Sequence, residues 1–314
     1  MVVEYEDGQT KGIELGRRYG NAAGLVIPHS VISDLKVDER FKAGKLLCYN
    51  SGFFEKDVLN PNQAIWKVGI LVNTVLLESS QTLEDSSAIS QETAKLLTTQ
   101  LTKVRTVVVN FEQSVHQMVK VGDAIDTEDI LCIIEDPVSA NTGLFTETSL
   151  DTLRVVSNAT PMAKTKGVVE RIEVFYHGEL EDMSETLRKQ AMDANRGMAR
   201  RAREAGKAVF TGAVDDGFRI DGNPLVLDTL AIRIYITSDV TTGAGDKGVF
   251  CNQLKTVFGE VMTGEVITES GIKIGAIFGQ KSVADRIVIS PDILGTTTTL
   301  LDVIAKRAVA AYKK

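Results

Sequence analysis

Eight short runs rich in Val, Ile, Leu and Thr set the limits on this fold. They are "GLVIPHSVI", "GKLLCYNS", "GILVNTVLLE", "VRTVVVNFE", "DILCIIEDP", "GVVERIEVFY", "LAIRIYITSDV" and "RIVISP", bounded by Gly, Asn, Asp or Pro. Runs of this length and β-branched content, punctuated by turn residues, predict strands. Three segments predict helices. Ser90 can cap a helix through Leu97 that continues to about Leu101. Asp182 with Glu185 reads as a capping box, and Met183, Leu187, Ala191, Met198 and Ala202 follow at helical spacing. In that segment "NRG" at 195–197 predicts a break into a hairpin, and Gly206 an end. The third, "TTLLDVIAKRAVAAYKK", sets Leu300, Ile304, Ala308 and Tyr312 on one face. The expected class is mainly β with a few helices.

The 314 residues are 43% hydrophobic and 25% charged, as in a folded globular chain. A net charge of −7 argues against nonspecific nucleic-acid binding by the chain as a whole. The charge is uneven, however. Residues 184–207 hold seven Lys/Arg against three Asp/Glu, and residues 231–314 hold ten against eight. Contacts to a polyanion therefore belong in the second half. Cys48, Cys132 and Cys251 lack a metal-type spacing, as do the three histidines, so zinc is not expected. No apolar run has the length of a membrane span and the N-terminus lacks a secretory pattern. A cytoplasmic location without a membrane partner is the expectation.

Two stretches carry chemistry. In "TTGAGDKGVFCNQLKTVFG" a glycine-rich turn leads into Lys247, and Lys255 follows eight residues later. Such a turn lets backbone approach a ligand closely. Two ammonium groups near it could meet a polyphosphate as point charges. The plainer alternative is a hairpin turn with exposed lysines. In "TLEDSSAIS" a strand and polar turn lead into the acidic pair Glu84-Asp85. The Asp-rich "VDDGFRIDGN" has neither an EF-hand spacing nor a tight Asp-x-Asp-Gly-Asp run; Asp215, Asp216 and Asp221 read as a solvated turn. Finally, "VKVGDAIDTEDILCIIE" (119–135) and "KGVVERIEV" (166–174) resemble the two halves of a barrel-sandwich hybrid. As a biotinyl or lipoyl carrier the chain would modify Lys164 or Lys166.

Taken in order, these stretches resemble the C-terminal half of the beta subunit of multisubunit DNA-directed RNA polymerases, over roughly residues 40–305. "TLEDSSAIS" matches an Asn-Phe-Glu-Asp-type motif. "VKVGDAIDTEDILCIIEDP" and "LRVVSNATPMAKTKGVVERIEVFYHGELED" match a hybrid-barrel and flap region. "IRIYITSDVTTGAGDKGVFCNQLK" matches the strand, Gly-Asp-Lys turn and second lysine. "GQKSVADRIVIS" stands where a Gly-Val-Pro-Ser-Arg-Met-type stretch is usual, and leaves Arg286 as its arginine. Between the lysines, "FCNQL" replaces the usual Arg-His-Gly-Asn stretch. This divergence, and the absence of the beta lobes and of the long clamp-contacting end, resemble the split polymerases of large bacteriophages.

The resemblance implies a double-psi β-barrel core interrupted by a flap-like insertion that contains the barrel-sandwich hybrid motif. Residues 1–103 would supply the first part of the barrel, 104–230 the insertion, and 231–314 the second part with the C-terminal helix. It implies that Lys247 and Lys255 contact the RNA 3′ end and the incoming nucleotide. Glu84 and Asp85 would face the substrate, Asp85 as a neighbour of a second metal, and Arg286 would touch the nucleotide phosphates. Catalytic Mg2+ would be held by the partner beta-prime-type subunit. Further implied partners are an N-terminal beta-type subunit, a sigma-like initiation factor, DNA template, nascent RNA and NTPs, in an infected bacterial cell or packaged in a virion. The alternative is a noncatalytic β-barrel protein of a viral complex.

Overall fold

The computed structural model describes residues 1–22, 24–80, 82–137, 159–204, 209, 211–286 and 289–313. Among these the chain is mainly β, with twenty strands and four α-helices. It divides into two compact units, Met1–Lys67 with Gln100–Asp239, and Val68–Thr99 with Val240–Lys314.

The first unit is built on a seven-stranded sheet. Its path runs Ala124–Ile125, Gly167–His177, Thr229–Val240, Thr99–Asn110, Leu25–Ile32, Gly16–Ala22, with Tyr49–Asn50 paired to Leu25–Ile32. Side-chain alternation sets its two faces, with one β-bulge between Val169 and Arg171 that shifts the phase of Gly167–His177. Leu230, Ile232, Ile234 and Ile236 enter the main core with Val107, Val109, Val169 and Val174. The helix Glu185–Glu204 covers that core through Leu187 and Ala191. The intervening Arg233, Tyr235 and Thr237 lie on the other face by the same alternation.

That second face is polar and curls the sheet. Arg17, on the edge strand Gly16–Ala22, grips Glu170 on Gly167–His177 with Nη2–Oε1 at 2.7 Å and Nε–Oε2 at 3.2 Å. Tyr19 donates to the same carboxylate at 2.9 Å. Tyr19 and Tyr235 pack at a tilt of 43° with ring centroids 4.8 Å apart, and the Arg171 guanidinium lies over both rings. Tyr235 in turn donates to Glu173 at 2.7 Å. Burial, reinforced by these carboxylate acceptors, pushes both tyrosines up to about 12. Burial alone would raise the Glu170 carboxyl. The bonds from Arg17, Tyr19 and Thr237, with the Arg17 charge, outweigh it and hold the group below its ordinary value.

The two glycine-centred motifs meet in this unit. Ala124 and Ile125 pair with Val168 and Gly167, and Gly122 N donates to Val169 O at 2.8 Å. A Cβ on Gly167 would lie 2.5 Å from Thr237 O, so only glycine lets these strands approach.

Several element boundaries differ from the sequence expectation. The Ser90-capped helix is only Gln91–Leu96. Ser90 accepts from Thr93 N as expected, but the β-branched run from Thr99 takes Leu101 into the Thr99–Asn110 strand. Asp182 ends a 3-10 turn, and the long helix starts at Glu185, with Ser184 Oγ bonded to Gln113 O at 2.6 Å. "NRG" does not break it. Asn195 is an anchor, donating to the Tyr176 hydroxyl at 2.9 Å and accepting from Gly212 N at 2.8 Å. Gly206 lies outside the described residues. "RIVISP" is no strand where described, because Pro291 opens the helix Ser290–Tyr312.

The Arg17–Glu170 clasp makes a pH-dependent contribution. With the folded carboxyl held low, its stabilisation is present above the ordinary carboxylate value and is lost as pH falls through the folded value. Glu170→Gln should cost about 1–2 kcal/mol at neutral pH and flatten the acid limb. Denaturant titrations of both proteins between neutral and acid pH check this; parallel curves would contradict it.

Candidate functional site

Glu84, Asp85, Lys247, Lys255 and Arg286 all lie in the second unit. Its five-stranded sheet runs Lys247–Phe250, Leu254–Met262, Ser86–Ser90, Ala276–Phe278, Thr74–Leu76. Ser86–Ser90 lies at the centre, parallel to Leu254–Met262 and antiparallel to Ala276–Phe278.

The lysine hairpin follows from its turn chemistry. Gly245 takes a positive φ of 95°, and its N–H donates to Phe258 O at 2.7 Å. The Asp246 carboxylate accepts from Gly243 N at 2.9 Å and so closes the turn. Lys247 then pairs opposite Val257, and Val249 opposite Lys255. Leu254, Thr256 and Phe258 are buried, so Lys255 and Val257 face outward, as do Lys247 and Val249. The two lysines are thus diagonal neighbours on one exposed face, a placement that puts such residues roughly 7–8 Å apart. Neither ammonium group bonds a described residue.

Between them Gly248 is essential to packing. A Cβ there would fall closer than 3.0 Å to the ring of Phe258, which is itself buried in a cluster with Ile89, Ala94 and Ala276.

The acidic pair stands at the mouth of the central strand. Glu84 adopts a left-handed φ of 54°, rare for a residue with a side chain. Its carbonyl accepts from the Ser282 hydroxyl. The preceding loop is braced as well. Buried Thr82 accepts from Ser79 N and donates to Leu77 O, both at 2.8 Å, and the Glu78 carboxylate takes Lys281 N at 2.6 Å. The Asp85 carbonyl accepts from Val257 N at 2.9 Å and from the Thr256 hydroxyl at 2.8 Å.

Arg286 completes the group. Its Nη2 is ion-paired with the Asp85 carboxylate and donates to the Lys255 carbonyl at 3.2 Å. Asp85, Lys255 and Arg286, separated by up to 201 residues, therefore touch. Lys247 joins them through the hairpin and Glu84 through its neighbour.

Sequence reading missed the supports. Thr82, Thr256 and Ser282 are small hydroxyl residues whose importance appears only with their distant partners. The polar ladder of the first unit left one trace: the charges of "VERIEV" and "IRIYI" recur inside β-rich runs. Lys164 and Lys166 lie exposed beside the paired glycine motifs, Lys166 at 3.6 Å from Asp126. Asp216 approaches His177 at 3.2 Å and Asp221 approaches Arg233 at 3.9 Å, so neither shares a metal-like cluster.

Among the described residues no three His, Cys, Asp or Glu side chains gather as a metal-binding group, and Asp85 faces a guanidinium. No described helix is long and apolar enough to cross a membrane. No protein-family model matches the chain, and neither does any curated protein.

Gly248→Ala should destabilise the chain by about 1–3 kcal/mol through overpacking. Trimming the ring in Gly248→Ala/Phe258→Leu should recover part of that loss. Equilibrium unfolding checks both; an unchanged midpoint in the single variant would show that the ring moves aside freely.

Proposed function

We propose that this chain is the C-terminal part of a split beta-type subunit of a multisubunit DNA-directed RNA polymerase, of the kind encoded by large bacteriophages. The observation that carries the reading is the meeting of Asp85, Lys255 and Arg286, with Lys247 on the same hairpin face as Lys255. These are the residues the resemblance singles out, and they come from three distant stretches. Within this reading the five-stranded sheet belongs to a double-psi barrel and the glycine-paired motifs to the hybrid barrel of a flap-like insertion.

The reaction is nucleotidyl transfer, in which an RNA 3′ hydroxyl attacks an α-phosphate and charge builds on the phosphoryl oxygens. This chain supplies fixed cations against that charge. The beta-prime-type partner supplies the ligands for magnesium, whose Lewis acidity the chemistry requires. Dependence on partners is supported by the helix Ser290–Tyr312, where Pro291 is the one buried residue and Leu300, Leu301 and Ile304 are each more than half exposed. Apolar surface of this kind usually marks an interface.

In an enzyme reconstituted with its metal-bearing and N-terminal beta-type partners, Lys247→Ala and Lys255→Ala should each slow nucleotide addition on the order of 100-fold. Assembly should remain intact, and the isolated chain should make no RNA. Near-normal elongation by both variants would sink the assignment, as would template-dependent synthesis by the chain alone.

The long helix of the first unit carries Lys189, Arg196, Arg200 and Arg203 on its exposed side, while Leu187, Ala191 and Ala202 are buried. In the polymerase reading it borders the RNA exit path or an initiation factor. Deleting the helix would strip the core, so charge removal is the cleaner probe. Arg196→Gln/Arg200→Gln/Arg203→Gln should impair promoter-specific initiation or RNA retention more than addition on a preformed scaffold. Equal losses in the two assays would argue against this role.

A further inference from the structure

We propose that Asp85 is the resident counter-ion of Arg286, and that the phosphates of an incoming polyanion displace it. The proposal rests on the polymerase reading only for the identity of that polyanion, a nucleoside triphosphate. The exchange itself follows from the geometry of the pair.

The partners are unequally held. The Asp85 side chain is 71% exposed, whereas that of Arg286 is 30% exposed. Arg286 is also tied to the Lys255 carbonyl at 3.2 Å, a bond that makes no use of Asp85. The guanidinium is therefore the fixed member and the carboxylate the one free to swing into water. Open ion pairs of this kind contribute little, at most about a fivefold bias toward the closed pair. A phosphate carries more charge than a carboxylate and accepts bidentate bonds from arginine, so it can outcompete Asp85 at small cost.

The guanidinium has donors to spare. Nη2 serves both Asp85 and Lys255. Nε and Nη1 bond no described residue and are not among the buried unpaired atoms. Phosphate oxygens can therefore begin to bind along that edge before the carboxylate leaves. The ammonium groups of Lys247 and Lys255, which bond no described residue, belong to the hairpin whose backbone holds Arg286. A chain of phosphates, more than a single one, suits that set. Displacement also frees the Asp85 carboxylate, which could then take a cation that accompanies the polyphosphate.

Two other roles for the pair make different forecasts. If Asp85 is a structural brace, losing its charge weakens the fold and with it anion binding. If Asp85 acts only through general electrostatics, any nearby acid serves equally well. Glu84 provides the matched control, because Glu84→Gln removes the same charge one residue away.

The test is calorimetric titration of the purified full chain with inorganic tripolyphosphate at fixed ionic strength. Asp85→Asn should bind about two- to fivefold tighter than the parent with an unchanged melting temperature, and Glu84→Gln should gain less. Arg286→Ala should bind more weakly, and adding Asp85→Asn to it should give no further gain. The proposal is overturned by equal or weaker binding in Asp85→Asn, by a clear fall in its melting temperature, or by a gain that persists without Arg286. Absence of tripolyphosphate binding in every variant overturns it too. No transcription occurs in this assay, so failure of the polymerase reading would appear separately, in the reconstituted enzyme.

Discussion

The buried hydroxyl of Thr256 is the joint on which the candidate site depends. It sits one residue beyond Lys255, 1% exposed, and donates to the Asp85 carbonyl at 2.8 Å. Thr256 Oγ1 also lies 2.9 Å from the Ser87 hydroxyl, which accepts from it, so the two buried hydroxyls are paired with each other as well. Leaving such a group unpaired costs about 1–3 kcal/mol. The bond has a geometric consequence as well. Strand alternation sends Thr256 inward and therefore sends Lys255 outward. The residue that binds the acidic turn is thus also the one that fixes the face of the lysine.

Bringing such distant segments together places demands on residues that have no chemistry of their own. Gly248 leaves room for the tip of the Phe258 ring beneath the lysine hairpin, and Gly279 allows the Thr82 carbonyl to approach the start of the helix Gln280–Asp285. The same helix carries Ser282, which holds Glu84 by its carbonyl. The strained φ of Glu84 is thus constrained on both sides, by the packed loop before it and by the strand pairing after it. Strain of this kind persists when its surroundings over-determine it. Here they do so through backbone and hydroxyl bonds, and the Glu84 and Asp85 carboxylates remain at the surface.

Legibility followed the range of the interactions. The runs "VRTVVVNFE", "GVVERIEVFY" and "LAIRIYITSDV" became long sheet strands, because β-branched alternation is a local property. "GILVNTVLLE" shrank to Thr74–Leu76, since an apolar run alone does not say how much of it finds a partner strand. Helix ends depart from the local pattern where tertiary bonds decide them. Asn195 looks like a breaker until Tyr176 and Gly212 are seen to use both ends of its amide. The site residues were recognisable by type and order. Their supports were not, since a threonine or a serine carries no mark of the carbonyl, 171 or 198 residues away, that it will bond.

The electrostatics of the site reward exposure on one side and anchoring on the other. Two lysines at diagonal positions repel by only about 0.5 kcal/mol in water, so the fold can hold both without a carboxylate between them. An anion arriving over that face feels the attraction of both, and more strongly as it displaces water. Arg286 is treated differently: its planar fork is pinned to the Lys255 carbonyl and given a provisional partner in Asp85. Lysine suits the open face because a point charge on a flexible stem follows a moving ligand, while arginine suits the fixed position because its geometry is set in advance. The division of cation types thus matches the division between the hairpin face and the braced helix end, and it places the rigid donor where the backbone is already held.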